Sequence, residues 1–350
     1  MRLSARFGAI AAAVLALAAA AQAKPPRPAH GDPTKGPLVI AKEGSFFVGG
    51  RVVSSDTLSL TADRPASGDI TVDQIYVHYQ IPMHAERQPK VVLIHGCCLT
   101  GKTWETTPDG RMGWDEYFVR LGFPTYVIDQ SWRGRSASDP SAINAAHLGK
   151  APIDKIPTVA STARQAAWTV FRFGPRYGEA YPGERFPLKA ADELYKQMVP
   201  DEFLALPSPN PTVPNLASLS QQLGKTVLVS HSQSGPYPFQ AAAISAQGIA
   251  GIIAIEPSAC PDAAGDLTPY KAMPILIVWG DFVPLSDRWA PRLKGCRAFA
   301  DAMAKAGGRV TLTVLPEVGV HGNTHMMMQD DNSLQIADIL AAWIRKTVKD

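Results

Sequence analysis

The chain has 350 residues, of which 46% are hydrophobic and 19% charged, and a formal charge of +3. This composition belongs to a globular protein able to bury a full core and excludes a disordered or fibrous chain. A charge so close to neutral offers no electrostatic footprint for a nucleic-acid partner.

The first 23 residues differ from the rest. MRLSAR is a short positive segment, FGAIAAAVLALAAAA an apolar stretch, and AQA a small-residue cleavage site. The pattern predicts a secretory signal peptide over 1–23, cut near Ala23, and the apolar run is short for a membrane span. Its removal takes away Arg2 and Arg6 and no acid, so the charge falls from +3 to +1. Export places Cys97, Cys98, Cys260 and Cys296 in an oxidising compartment, where three pairings are possible and spacing alone does not choose.

Residues 24–37, KPPRPAHGDPTKGP, are polar and proline-rich and predict an extended arm. From 38 to 82, SFFVGGRVV and DITVDQIYVHYQIP predict N-terminal antiparallel strands, with Ile75, Val77 and Tyr79 alternating with their neighbours. VVLIHG, PTYVIDQ, TVLVS, IIAIE, ILIVWG and VTLTVL are continuous apolar runs of the kind that strands buried on both faces require. Helical patterns lie between them, including SDRWAPRLKGCRAFADAMAKAG, and SLQIADILAAWIRK puts Ile336, Ile339, Leu340, Trp343 and Ile344 on one helical face. The prediction is an α/β chain with a mostly parallel sheet and helices on both faces. Residues 140–224 break the alternation with helical stretches and the proline-dense LPSPNPTVPN, and predict an inserted helical cap. The expected division is a core in two parts, 24–139 and 225–350, around the cap.

The chemistry concentrates in VLVSHSQSGP, where Ser230, Ser232 and Ser234 alternate at the end of a buried strand. A strand turning sharply into a helix tolerates only small residues around the turn, and G-x-S-x-G is the usual solution. Here serines replace the flanking glycines, which makes Ser232 the candidate nucleophile and its neighbours the spacers. Pro236 opens the following helix, as an N-terminus prefers. Such a serine needs a base, an orienting acid and an oxyanion hole. Only His321 and His325 follow Ser232, both in VGVHGNTHMMMQ after the last strand. Their H-x-x-x-H spacing lacks the glutamate of a zinc-binding helix and lies in a glycine-containing loop.

For the acid, Glu256 ends one strand and Asp281 the next, with Asp287 a third option; pattern alone leans to Asp281. The oxyanion donors are expected from the backbone of Gln233 and of Cys97, in the HGCC loop after VVLIHG, with His95 holding that loop. Cys97 and Cys98 are adjacent, and a bridge between them would form a tight ring stiffening the oxyanion loop; two packed thiols are the alternative. Trp104, Trp132 and Trp168 are candidates for the substrate pocket, with Phe171, Phe173 and Tyr177 able to wall it or to form the cap's own core. Ser131-Trp132-Arg133-Gly134-Arg135-Ser136 reads as scaffolding.

Together HGCCLTGKTWE, SHSQSGP, IEPSAC and GNTHMMMQD make the chain resemble a small bacterial carboxylesterase family of α/β-hydrolases, marked by a disulfide between neighbouring cysteines at the active site. The resemblance covers most of the mature chain. It implies the α/β-hydrolase fold, with Ser232 as nucleophile, Glu256 rather than Asp281 as acid, and His325 as base. It also implies a Cys97–Cys98 active-site disulfide and a second bridge, Cys260–Cys296. The implied activity is hydrolysis of a small-molecule or polymeric ester by a secreted or periplasmic enzyme without cofactor or metal. An amidase or peptidase on the same triad and a non-catalytic binding protein are the competing readings. No membrane span is expected in the mature chain, and a homodimer is the assembly to test.

Overall fold

The computed structural model describes residues 32–348 apart from Ala62 and Pro65, so the predicted signal peptide lies outside the described residues. The strands are β1 (Ile40–Val48), β2 (Arg51–Ser55), β3 (Gly68–Val72), β4 (Ile75–Pro82), β5 (Lys90–Ile94), β6 (Thr125–Asp129), β7 (Thr226–His231), β8 (Ile249–Ile255), β9 (Pro274–Trp279) and β10 (Arg309–Val314). Eight of them form one sheet in the order β1-β4-β6-β5-β7-β8-β9-β10, while β2 and β3 pair separately. β1, β4 and β6 are joined antiparallel. From β6 to β10 every pairing is parallel.

The continuous apolar runs follow from burial on both faces. Val91, Leu93, Val229, Ile253 and Val278 face one core, with α1 (Trp114–Arg120) and α8 (Ser333–Thr347) packed over them. Val92, Ile94, Leu228, Ile252 and Ile277 face the other, beneath α5 (Thr212–Leu223), α6 (Tyr237–Ile244) and α7 (Ala290–Lys305). Each such side chain contributes about 1.5–3 kcal/mol on burial. The helical stripe on α8 is realised, with Ile336, Leu340 and Ile344 fully buried.

Between β6 and β7 the chain runs through α2 (Ser141–His147), α3 (Arg164–Val170) and α4 (Ala191–Lys196) before reaching α5. Phe171, Phe173 and Phe186 beyond α3 are buried, and Phe173 stacks on Phe186 with ring centroids 4.2 Å apart. Cys260 and Cys296 form a disulfide that ties the segment after β8 to α7. The strand order reverses around β5, with β6 on one side and β7 on the other. The carboxyl ends of β5 and β7 therefore flank a topological switch point, where sheets of this kind open a crevice.

Candidate active site

β7 ends at His231, and a single 3₁₀ turn, Ser232–Ser234, carries the chain into α6. Ser232 is left-handed, with φ of 57°. For a residue with a side chain that conformation costs roughly 1–2 kcal/mol, an expense expected where a side chain must be presented at a tip. The spacer serines also act through their hydroxyls. Ser234 Oγ accepts from His231 N at 3.1 Å and stands 3.1 Å from Ile94 O, fastening the turn to the end of β5. Ser258 N donates to Ser232 O at 2.8 Å, adding a tie from the segment after β8.

The HGCC loop after β5 crosses this corner closely. A Cβ on Gly96 would stand 2.9 Å from Ser232 Cβ and 2.9 Å from His231 Nδ1, so only glycine fits there. His95 is fully buried. Its Nε2 accepts from Gln130 N, which leaves Nδ1–H to donate to Gly96 O at 2.9 Å. Burial, and next Arg133, hold its imidazole down at about 4. Cys97 and Cys98 are joined by a disulfide, and Cys98 is left-handed with φ of 61°.

His325 lies in the loop between β10 and α8 and is fully buried. Its Nδ1 stands 3.1 Å from Glu256 Oε2, so Nδ1 carries the proton and Nε2 the lone pair. Nε2 is buried and makes no hydrogen bond among the described residues, Ser232 included. The ring is fixed by neighbours: Trp289 at 4.2 Å between centroids, His231 at 4.6 Å, and Phe171 stacked at 5.8 Å. His231 Nε2 donates to His325 O at 2.9 Å, which joins the residue beside Ser232 to the loop that carries His325. Asp330 holds the same loop through Thr324 N, Thr324 Oγ1 and Asn323 Nδ2.

Glu256 is fully buried and left-handed, with φ of 50°. Gly280 N donates to its Oε1 at 2.6 Å, and Arg172 grips both oxygens at 2.5 and 2.6 Å. Burial pushes the carboxyl up, but Arg172, with His325 after it, more than offsets this and holds it down at about 2. Asp281 faces elsewhere. Its carboxylate accepts from Phe282 N and Gly322 N and lies 3.8 Å from the exposed His321. Asp287 is exposed. The two histidines thus reach different acids and do not converge on one point.

The tryptophans are dispersed. Trp104 is fully buried, stacked on Trp114 and edge-on to His231. Trp132 donates its indole N–H to Asp73 at 2.8 Å, and Trp168 donates to Glu179 O while packing on Phe173 and Tyr177.

Three contributors escaped the sequence reading. Arg172 is one, although a lone charge inside the aromatic run VFRF is the mark of a buried pair. Trp289, against His325, is another. Asp201 is the third: it pairs with the buried Arg133, accepts from Gln233 Nε2 at 2.9 Å and lies 3.1 Å from Cys97 Sγ. Val199 N donates to Cys98 O at 2.9 Å, so this segment is seated on the loop and turn that carry the expected oxyanion donors.

The chain is 57% identical to a solved bacterial esterase, with a TM-score of 0.88, over 90% of this chain and 98% of that one. It is also 25% identical over 321 residues to a probable secreted lipase, phiG, of Fungal sp. (strain ATCC 74256), covering 78% of this chain and 86% of the lipase. No family model matches the chain.

Proposed function

As a member of the bacterial esterase family of α/β-hydrolases, this chain is, we propose, a serine carboxylesterase that works through Ser232, His325 and Glu256 and an acyl-enzyme. One observation carries the reading: a left-handed serine at the end of β7 lies next in sequence to His231, which packs on an imidazole whose Nδ1 meets a buried carboxylate.

Ser232 Oγ attacks the ester carbonyl carbon while its proton passes to His325 Nε2. The charge that develops on the carbonyl oxygen is held by the N–H groups of Cys97 and Gln233, each worth about 3 kcal/mol in the transition state. The alcohol leaves with the proton from Nε2, and Ser232 keeps the acyl group. Water then attacks that ester and gives its proton to Nε2. Collapse of the second tetrahedral adduct releases the acid and returns the proton to Ser232. Throughout, Glu256 fixes the Nδ1–H tautomer and faces the transient imidazolium. No step calls for a metal or cofactor.

Residues 140–224 serve as the cap over this site, and Val199, Asp201 and Arg172 are its points of attachment. The reading includes export, with residues 1–23 removed, and a small-molecule or polymeric ester as substrate. Among the described residues no helix is long and apolar enough to cross a membrane.

Matched esters and amides sharing one acyl group test the reaction class. Ester cleavage is expected to exceed amide cleavage by orders of magnitude, and Ser232→Ala to abolish both. Ester turnover persisting in Ser232→Ala would overturn the assignment.

A further inference from the structure

Arg172 follows α3 and is 1% exposed, with φ of 58°. All three of its guanidinium nitrogens are engaged: Nη1 and Nη2 bond the two oxygens of Glu256, and Nε donates to Asp281 O at 2.8 Å. In a serine-histidine-acid site the carboxylate commonly has the imidazole as its main charged partner, and its full charge draws a proton onto the ring. Here a cation is locked to that carboxylate in a buried, bidentate pair, the strongest geometry available to arginine and carboxylate. From the position of His325 the acid is half of a neutral pair.

We propose that Arg172 is a positioning residue that fixes Glu256 and offsets its charge, keeping His325 an uncharged base and the enzyme active in acidic medium. The inference rests on the Ser232-His325-Glu256 reading above.

The groups around the ring agree with this. From β7 comes His231, itself buried and held uncharged by burial first and then by His325. From the segment after β8 comes Glu256. From the region after α3 come Phe171 and Arg172, and from the segment before α7 come Trp289 and Arg288, whose guanidinium stands over the Trp289 ring at 5.5 Å. Asp281, after β9, offers Arg172 its carbonyl while its carboxylate is taken by Phe282 N and Gly322 N. Asp330 on the base loop is engaged with Thr324 and Asn323. Burial lowers the His325 imidazole most; Glu256 opposes this, Arg172 and Arg288 add to the lowering, and it comes to rest at about 4.

The sign is definite. His325 accepts a proton only when neutral, so the acidic limb of kcat/KM follows its titration in the free enzyme. In the wild type that limb should lie near pH 4. Arg172→Met leaves the charge of Glu256 acting on His325 alone, and the limb should move up by about one to three pH units. Arg172→Lys keeps the cation without the fork, so the limb should stay while kcat falls as Glu256 loosens.

A folded Arg172→Met enzyme with an unmoved limb overturns the proposal, because a merely structural arginine would lower activity at every pH alike. If Arg172→Met does not fold, Arg172→Gln takes its place, and an unmoved limb in that folded variant, or a wild-type limb in the ordinary histidine range, about 6.5, overturns it. Fluorophosphonate labelling of the wild type keeps the two readings apart. An adduct at Ser232 with the wrong limb sinks only the role of Arg172, whereas no adduct at Ser232 sinks the triad itself.

Discussion

His325 Nδ1 and Glu256 Oε2 stand 3.1 Å apart in the buried interior, while Asp281, at the end of the neighbouring strand, turns its carboxylate to backbone N–H groups. Two acids at two strand ends are thus separated by geometry into one that faces His325 and one that shapes a loop.

Glu256→Gln should lower kcat by a factor on the order of 10³–10⁴ by removing the acceptor that fixes the Nδ1–H tautomer of His325. It should also lower stability by roughly 3–5 kcal/mol, since Arg172 is left buried without its anion. Asp281→Asn should keep kcat within a few-fold. Steady-state kinetics below the melting temperature of each variant check this, and the opposite ranking would contradict the assignment of the acid.

The two disulfides should separate function from stability. Cys260→Ser with Cys296→Ser should cost about 2–4 kcal/mol of stability with kcat nearly unchanged, because that bridge joins positions 36 apart in sequence and lies outside the HGCC loop. Cys97→Ser with Cys98→Ser should lower kcat with a smaller loss of melting temperature, because that bridge belongs to the loop that lies against Ser232. Equal losses of both quantities in both variants would contradict a local role for the adjacent pair.

Asp201 should couple the segment before α5 to the oxyanion site, since its carboxylate holds the Gln233 side chain and lies beside Cys97. Asp201→Asn should lower kcat about tenfold with a smaller change in KM, as expected for a group acting through transition-state donors. It should also destabilise the fold, because Arg133 is 4% exposed and its anion is Asp201. A loss of melting temperature with unaltered kinetics would leave Asp201 a purely structural anchor.

Much of this was legible in the sequence, for identifiable reasons. Parallel strands buried on both faces must be continuously apolar, so VVLIHG and ILIVWG declare β5 and β9 to within a residue or two. The sharp turn at the end of β7 declares itself because a crowded turn admits only small residues, and the serines of SHSQSG satisfy that limit as glycines would. The contacts that complete the site join distant positions and leave no local trace: Arg172 and Glu256 are 84 residues apart, and Asp201 and Cys97 are 104 apart. The choice between Glu256 and Asp281 was hidden for another reason. Both end a buried strand, and what separates them is the direction each carboxylate takes, which depends on the left-handed backbone of Glu256 and the N–H of Gly280.

Peptide mapping by mass spectrometry after reaction with a fluorophosphonate tests the central claim most directly. The account predicts one adduct, on Ser232, formed rapidly by the wild type and slowed by orders of magnitude in His325→Ala. An adduct on another residue, or labelling of Ser232 at the same rate without His325, would contradict it.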